Sequence, residues 1–193
     1  MAFEILPPHS DGARLQPVPA RHAAMFGFAL LTVSCALASF VLACAAPFAA
    51  LAVVAAAMLP LRPALLVMTG AWLINQGIGF GALHYPIDAG TTAWGFVIGA
   101  AALTATCVAS AVFRVLPQNR APLMLALVLA GAYAAYEVVL FTATPFLGGA
   151  GAFTAAVVAR LGGLNVVWLI GLVVACEIVR LLNPLRRGGA MST

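Results

Sequence analysis

The sequence predicts an all-α, polytopic membrane protein of six transmembrane helices with both ends in the cytoplasm. Three observations carry that prediction: the composition, the lengths of the apolar runs and the placement of arginine. Of the 193 residues, 64% are hydrophobic and only 7% charged, with a mean hydropathy of +1.11. Soluble domains carry about 25% charged residues, so water is not the main solvent of this chain. Lipid leaves no partner for free backbone groups, which restricts spanning segments to helices or closed barrels. The apolar runs here are long and do not alternate with polar residues, as barrel strands would.

Crossing the hydrocarbon takes about 20 apolar residues, and proline, glycine or charge marks the breaks. This places helix 1 over 22–43, helix 2 over 46–60, helix 3 over 63–80, helix 4 over 90–115, helix 5 over 121–143 and helix 6 over 152–182. Pro47, Pro63 and Pro122 fall at helix starts, where a missing N–H costs little. Helix 2 is short for a span. The chain thus divides into a disordered cytoplasmic tail at 1–21, a six-helix domain at 22–183 and a second cytoplasmic tail at 184–193. The first twenty residues, MAFEILPPHSDGARLQPVPA, are polar and proline-rich and contain no apolar segment with a cleavage site, so helix 1 is expected to stay as an anchor.

Arginine supplies the orientation. Arg14 and Arg21 precede helix 1, Arg62 joins helices 2 and 3, Arg114 and Arg120 flank the 4–5 loop, and Arg180, Arg186 and Arg187 close helix 6. In a six-span arrangement all eight share one face and only Arg160 lies on the other. The positive-inside rule then puts both termini in the cytoplasm. Apart from Arg186 and Arg187 the basic residues are scattered singly, which gives nucleic acid no patch to bind. Cys35, Cys44, Cys107 and Cys176 lie within apolar runs without C-x-x-C spacing and read as inert buried thiols.

The polar residues that remain cluster between Trp72 and Trp94, in WLINQGIGFGALHYPIDAGTTAW. On the orientation above this stretch faces the outside. Asn75 and Gln76 are adjacent amides within the outer half of the membrane and need partners or a ligand. Gly77, Gly79 and Gly81 mimic a dinucleotide fingerprint, but no strand precedes them. Either they let helix 3 unwind or pack tightly, or they let backbone groups approach a bound molecule. His84, Tyr85 and Asp88 form a short polar loop closed by Pro86. A loop histidine is commonly only solvated, yet imidazole is also the commonest side-chain metal ligand. Trp72, Trp94 and Tyr85 fit equally well as aromatic anchors at the headgroup level.

Glu137, read near the outer end of helix 5, and Arg160, about 12 Å into helix 6 at 1.5 Å per residue, have matching depths. They are expected either to pair, or to leave Arg160 facing a cavity for an anionic or amide-bearing substrate. Glu177 and Arg180 are one turn apart and read as a surface pair. A pocket opening outward follows better than a channel, because the inner half carries only hydroxyls and Glu177. The missing charged relay through that half also speaks against a proton pump. No H-E-x-x-H, G-x-S-x-G or nucleophile with its base occurs, so the chain is not expected to be an enzyme.

The architecture together with NQGIGFGALHYP, Trp94 and Gly95 resembles the substrate-binding S-components of energy-coupling-factor vitamin transporters, most of all the small solitary cobalamin transporters of the BtuM family. The resemblance implies an S-component-like bundle in the bacterial inner membrane that captures cobalamin (vitamin B12) from the periplasm. It also implies a side chain of the 3–4 loop on the cobalt. Where that family can carry cysteine, this chain has His84, which implies axial coordination by neutral imidazole in place of thiolate chemistry. Tyr85 and Arg160 would follow as contacts to the corrin and its amides, with Asn75, Gln76, Asp88 and Trp94 completing the binding set. Cobalamin is then the transported substrate and no resident cofactor is expected. No G-x-x-x-x-G-K-[ST] occurs, so energy comes from a partner ATPase module or from a toppling motion of the protein itself. A cobalt or nickel ion permease and a non-catalytic accessory subunit of a membrane complex are the alternatives.

Overall fold

The structure, a computed structural model, describes Leu15 and residues 17–42, 45–115 and 121–182. Cys44, Arg14, Arg120, Arg186, Arg187, most of the tail assigned to 1–21 and all of that assigned to 184–193 lie outside the described residues, and the last two residues of the assigned N-terminal tail, Ala20 and Arg21, already belong to the first helix. The described chain is helical, with no strand among the described residues: α1 (Ala20–Leu42), α2 (Phe48–Met58), α3 (Leu61–Gly77), α4 (Ala89–Val115), α5 (Ala121–Leu147) and α6 (Ala155–Leu182). A π-helical turn, Ile78–Ala82, extends α3, and a 3₁₀ turn, Ala150–Phe153, precedes α6. Five of these helices are long and apolar enough to cross a membrane.

Helix 5 runs past its expected end at 143 to Leu147, carrying Pro145 in its last turn. A second difference is α2. Its 11 residues rise about 16 Å, half the roughly 30 Å of hydrocarbon. Pro47 precedes its first turn, and Leu59, extended before Pro60, ends it. Alanine and valine all round leave no polar face, the pattern of a helix enclosed on every side, and all of α2 from Phe48 to Ala57 is buried. The longer helices wrap it. Their outward faces carry large apolar residues such as Leu66, Phe141, Ile170 and Leu182, a surface far too apolar for water.

Helix directions follow from the contacts. Cys35 donates to the Ala71 carbonyl and Asn75 to Ser39, both across the same separation of 36 residues, so α1 and α3 run parallel and the segment between them returns. Trp72 lies over Gly99 and Gln76 over Gly95, which makes α3 and α4 antiparallel. Tyr133 of α5 meets Val158 and Gly162 of α6 across their short connection. The starts of α1 and α3 and the ends of α4 and α6 therefore share one end of the bundle. Arg21, Arg62, Arg114 and Arg180 are all exposed there, with Arg160 towards the other end.

Candidate functional site

The Trp72–Trp94 stretch is built from the end of α3, the π turn, a short loop and the start of α4. Asn75 donates from Nδ2 to Ser39 Oγ at 2.8 Å, and Ser39 donates to the Cys35 carbonyl at 2.7 Å. Gln76 Nε2 donates to Asn75 Oδ1 at 3.1 Å. Trp72 Nε1 donates to the Gly95 carbonyl at 2.9 Å, with its ring 6.0 Å from that of Phe96. The two amides expected to seek a ligand thus have their described hydrogen bonds to protein, in a strip that ties α1 to α3 beside the α3–α4 contact.

Beyond them the widened turn lets Leu83 N–H reach the Ile78 carbonyl at 2.9 Å and Tyr85 N–H the Gly79 carbonyl at 3.0 Å. The ring of Tyr85 folds back over Gly79, where a Cβ would stand 2.7 Å from Cε2, and packs edge-on against Phe80. Gly77 and Gly81 face open space. The glycine stretch therefore loosens helix 3, and Gly79 is where close packing requires the absent side chain.

His84 follows with φ 55, the left-handed region, the one described non-glycine residue there. Its side chain is exposed. Asp88 accepts from Thr91 N–H at 2.8 Å and from the Thr91 hydroxyl at 3.1 Å, capping α4. Those two hydrogen bonds, the backbone one foremost, hold its carboxyl below the usual carboxylate range. Trp94 is half-buried, with Cζ2 3.5 Å from where a Cβ on Gly149 would be, so α4 contacts the α5–α6 turn there. Arg160 is exposed on α6.

No ion pair joins Glu137 to Arg160. Glu137 lies about 15 Å from the end of α5, while Arg160 is only about 8 Å into α6, at 1.5 Å per residue. The depths no longer match because α5 ends later, and α6 starts later, than the sequence predicts. Glu137 Oε1 is buried without a hydrogen-bond partner. Glu177 and Arg180 do form the expected pair. Of the cysteines, Cys35 and Cys176 are buried, but Cys107 is exposed: it lies on the outer face of α4, where a thiol is apolar enough to meet lipid.

Two cavities lie away from this stretch. One, of about 510 Å³, separates α5 from α6 between Pro122 and Val174, with Leu125, Leu129, Val166 and Ile170 among its nearly wholly apolar walls. The other, of about 50 Å³, is lined by Glu137, Tyr133, Tyr136 and Asn165 with Ala45 and Ala46. None of the seven sequence-predicted site residues lines either cavity. The sequence reading missed the smaller one, although Tyr133 and Glu137 stand one turn apart in an apolar helix, a spacing that puts them on one face. Comparison with models of protein families, with curated proteins and with solved structures finds no match to this chain.

Proposed function

We propose that this chain is a six-span inner-membrane protein, with both termini cytoplasmic, that captures a corrinoid, most specifically cobalamin, at its outer end for uptake. The observation that carries the reading is His84. Its imidazole stands exposed at a bend between two fixed supports, the π turn closed by Tyr85 and the α4 start capped by Asp88. Non-glycine residues held in the left-handed region cost energy and collect at ligand-contacting positions. A neutral imidazole offers one nitrogen to the cobalt of a cobalamin approaching from the periplasm. The concentration of described arginines at the opposite end supports the orientation, and the π turn with the 3–4 loop supplies an outer platform. Asn75 and Gln76 then act by fixing that platform; Tyr85, Asp88, Trp94 and Arg160 border it. Binding requires only the loop; a docking energy-coupling ATPase module, or a movement of the bundle itself, completes uptake.

The test is the visible spectrum of cobalamin with the purified protein. Exchange of an axial ligand for His84 shifts the absorption bands, and His84→Ala is expected to abolish the shift while leaving the helical content unchanged. A shift that survives in the mutant overturns the assignment of His84. The accessory-subunit reading has one observation in its favour, the apolar gap between α5 and α6, which suits a partner's transmembrane helix. That reading predicts co-purification with another membrane protein and no corrinoid binding. A cobalt or nickel permease has less support, since no group of three or more metal-ligating side chains occurs among the described residues.

A further inference from the structure

We propose that the gap between α5 and α6 is a binding site for a phospholipid with an ethanolamine headgroup: an acyl chain lies in the gap, and Arg180 and Glu177 at its mouth take the phosphate and the ammonium. The length of the gap selects the chain. On α5 its walls run from Pro122 to Tyr133, about 16 Å at 1.5 Å per residue. That is the depth of one leaflet, since the whole hydrocarbon core is roughly 30 Å thick. Beyond that level the gap is closed: Tyr133 donates to the Val158 carbonyl at 2.7 Å, and its ring lies against Gly162, where a Cβ would stand 3.3 Å from Cε1. A partner's helix crossing the whole core would run into this closure. A chain entering from one leaflet stops at it.

The walls select hydrocarbon. They are nearly wholly apolar and enclose about 510 Å³. Apolar cavities stay dry, and packed interiors do not keep voids of this size. Ala126 and Ala130 on one wall and Val166 and Ile170 on the other are exposed, so the gap opens sideways to lipid. Its width does not depend on what fills it, because other helices hold α6. Asn165 accepts from the Ala50 N–H of α2 at 2.9 Å, and Trp168 Nε1 donates to Ser34 Oγ of α1 at 2.7 Å; neither Asn165 nor Trp168 lines the gap.

The mouth selects the headgroup. The face of α6 that lines the gap carries Gly162, Val166, Leu169 and Val173, and the same three- and four-residue spacing continues to Glu177 and Arg180. These two stand about 5 and about 9 Å past Val174, the last wall residue on α6, at 1.5 Å per residue. That is the level of the headgroup layer, roughly 5–8 Å on each side of the core. In the pair, guanidinium Nη2 meets carboxylate Oε2, and the side chains of Arg180 and Glu177 stay 49% and 41% exposed, so each keeps surface for a second partner. Arginine binds phosphate through its planar fork, and a carboxylate accepts from an ammonium N–H. A lone arginine would favour an anionic lipid. Here the two charges balance side by side, which matches a headgroup that carries both. Ethanolamine brings N–H donors to Glu177, whereas the quaternary amine of choline has none. That this leaflet is the cytoplasmic one rests on the orientation proposed above; the lipid site does not.

The experiment reads the lipid that stays with the full-length protein. Nanodiscs hold equal amounts of phosphatidylethanolamine, phosphatidylglycerol and phosphatidylcholine with identical acyl chains, and the protein released into mild detergent is weighed by native mass spectrometry. The wild type is expected to retain a phospholipid in which ethanolamine is enriched about fivefold over either other headgroup, the scale of one charge contact at a membrane surface. Ala126→Phe combined with Ala130→Phe fills the gap and loses that lipid. Glu177→Gln keeps a lipid but no longer prefers ethanolamine to glycerol, and Arg180→Gln lowers retention itself by about fivefold. Both polar substitutions sit at the surface and test the site even where the filled variant unfolds. The proposal is overturned if no lipid is retained, if ethanolamine is not the enriched headgroup, if a folded variant with the filled gap retains lipid as well as the wild type does, or if Glu177→Gln and Arg180→Gln both behave as the wild type. A co-purified protein helix that crosslinks along the gap in place of lipid also overturns it. Cobalamin binding at His84 is read at the opposite end of the bundle, so either result can fail while the other stands.

Discussion

The α3–α4 side and the α5–α6 side of the bundle are built from the same apolar alphabet, yet one is sewn shut and the other gapes. Between α3 and α4, Gly95 and Gly99 remove side chains where Gln76 and Trp72 arrive, and an indole-to-carbonyl hydrogen bond locks the contact. Between α5 and α6, Tyr133 reaches the Val158 carbonyl and lies against Gly162, and a cavity of about 510 Å³ separates the two helices between Pro122 and Val174. The difference teaches that in a bundle without a hydrophobic driving force between helices, closeness is set by missing side chains and by a few polar atoms. Leucine and valine alone hold helices together only loosely.

The largest effect expected from breaking this contrast is at Gly99. A Cβ there would stand 2.7 Å from Trp72 Cε2 and 2.9 Å from Nε1, and the indole cannot swing aside without losing its bond to the Gly95 carbonyl. Gly99→Ala is expected to destabilise by about 1–3 kcal/mol, the usual cost of overpacking, even though alanine is the better helix former. Thermal unfolding in detergent, followed by circular dichroism, reads it; an unchanged or raised midpoint refutes the close packing. Asn75→Ala comes next. It removes the tie to Ser39 and the acceptor for Gln76, and hydrogen bonds between membrane helices average about 0.6 kcal/mol. On the proposed reading, the loosened platform weakens corrinoid binding without abolishing the spectral shift, which separates a supporting residue from His84, the proposed ligand.

Asp88 gives a smaller and pH-dependent effect. Its folded carboxyl is held below the ordinary range by Thr91, so its cap contributes fully above the unfolded value and is lost as pH falls through the folded one. A wild-type acid-side decline in the hydrogen-exchange protection factor of the Thr91 amide, which donates to the Asp88 carboxylate, should be missing in Asp88→Ala, whose Thr91 protection is low at every pH.

Much of this contrast was legible in the sequence on one side only. The breaks between helices follow from proline, glycine and arginine, because each acts locally: five of the six expected segments match a described helix long and apolar enough to cross a membrane. Pro145 misleads because a proline in the last turn of a helix only forfeits one bond, and α5 continues to Leu147. The polar stretch Trp72–Trp94 stands out in composition, but the roles within it depend on which partner each group finds. Asn75 finds Ser39 across 36 residues of sequence, which no local pattern announces. Glu137 looks like half of an ion pair until the helix ends are fixed, and its true neighbours, Tyr136, Asn165 and the approach to α2, come from three parts of the chain.

The smallest expected effect is the sharpest comparison. Ala130 lines the wide gap between α5 and α6, and leucine has nearly the helix propensity of alanine. Ala130→Leu adds three carbons where Gly99→Ala adds one, yet the new side chain enters space that is already open and apolar. Its unfolding midpoint should stay with the wild type, since overpacking costs arise only where neighbours must move. A loss comparable to that of Gly99→Ala would mean that the α5–α6 gap is closed in the membrane, and that the difference between the two sides of the bundle is not a property of the folded protein.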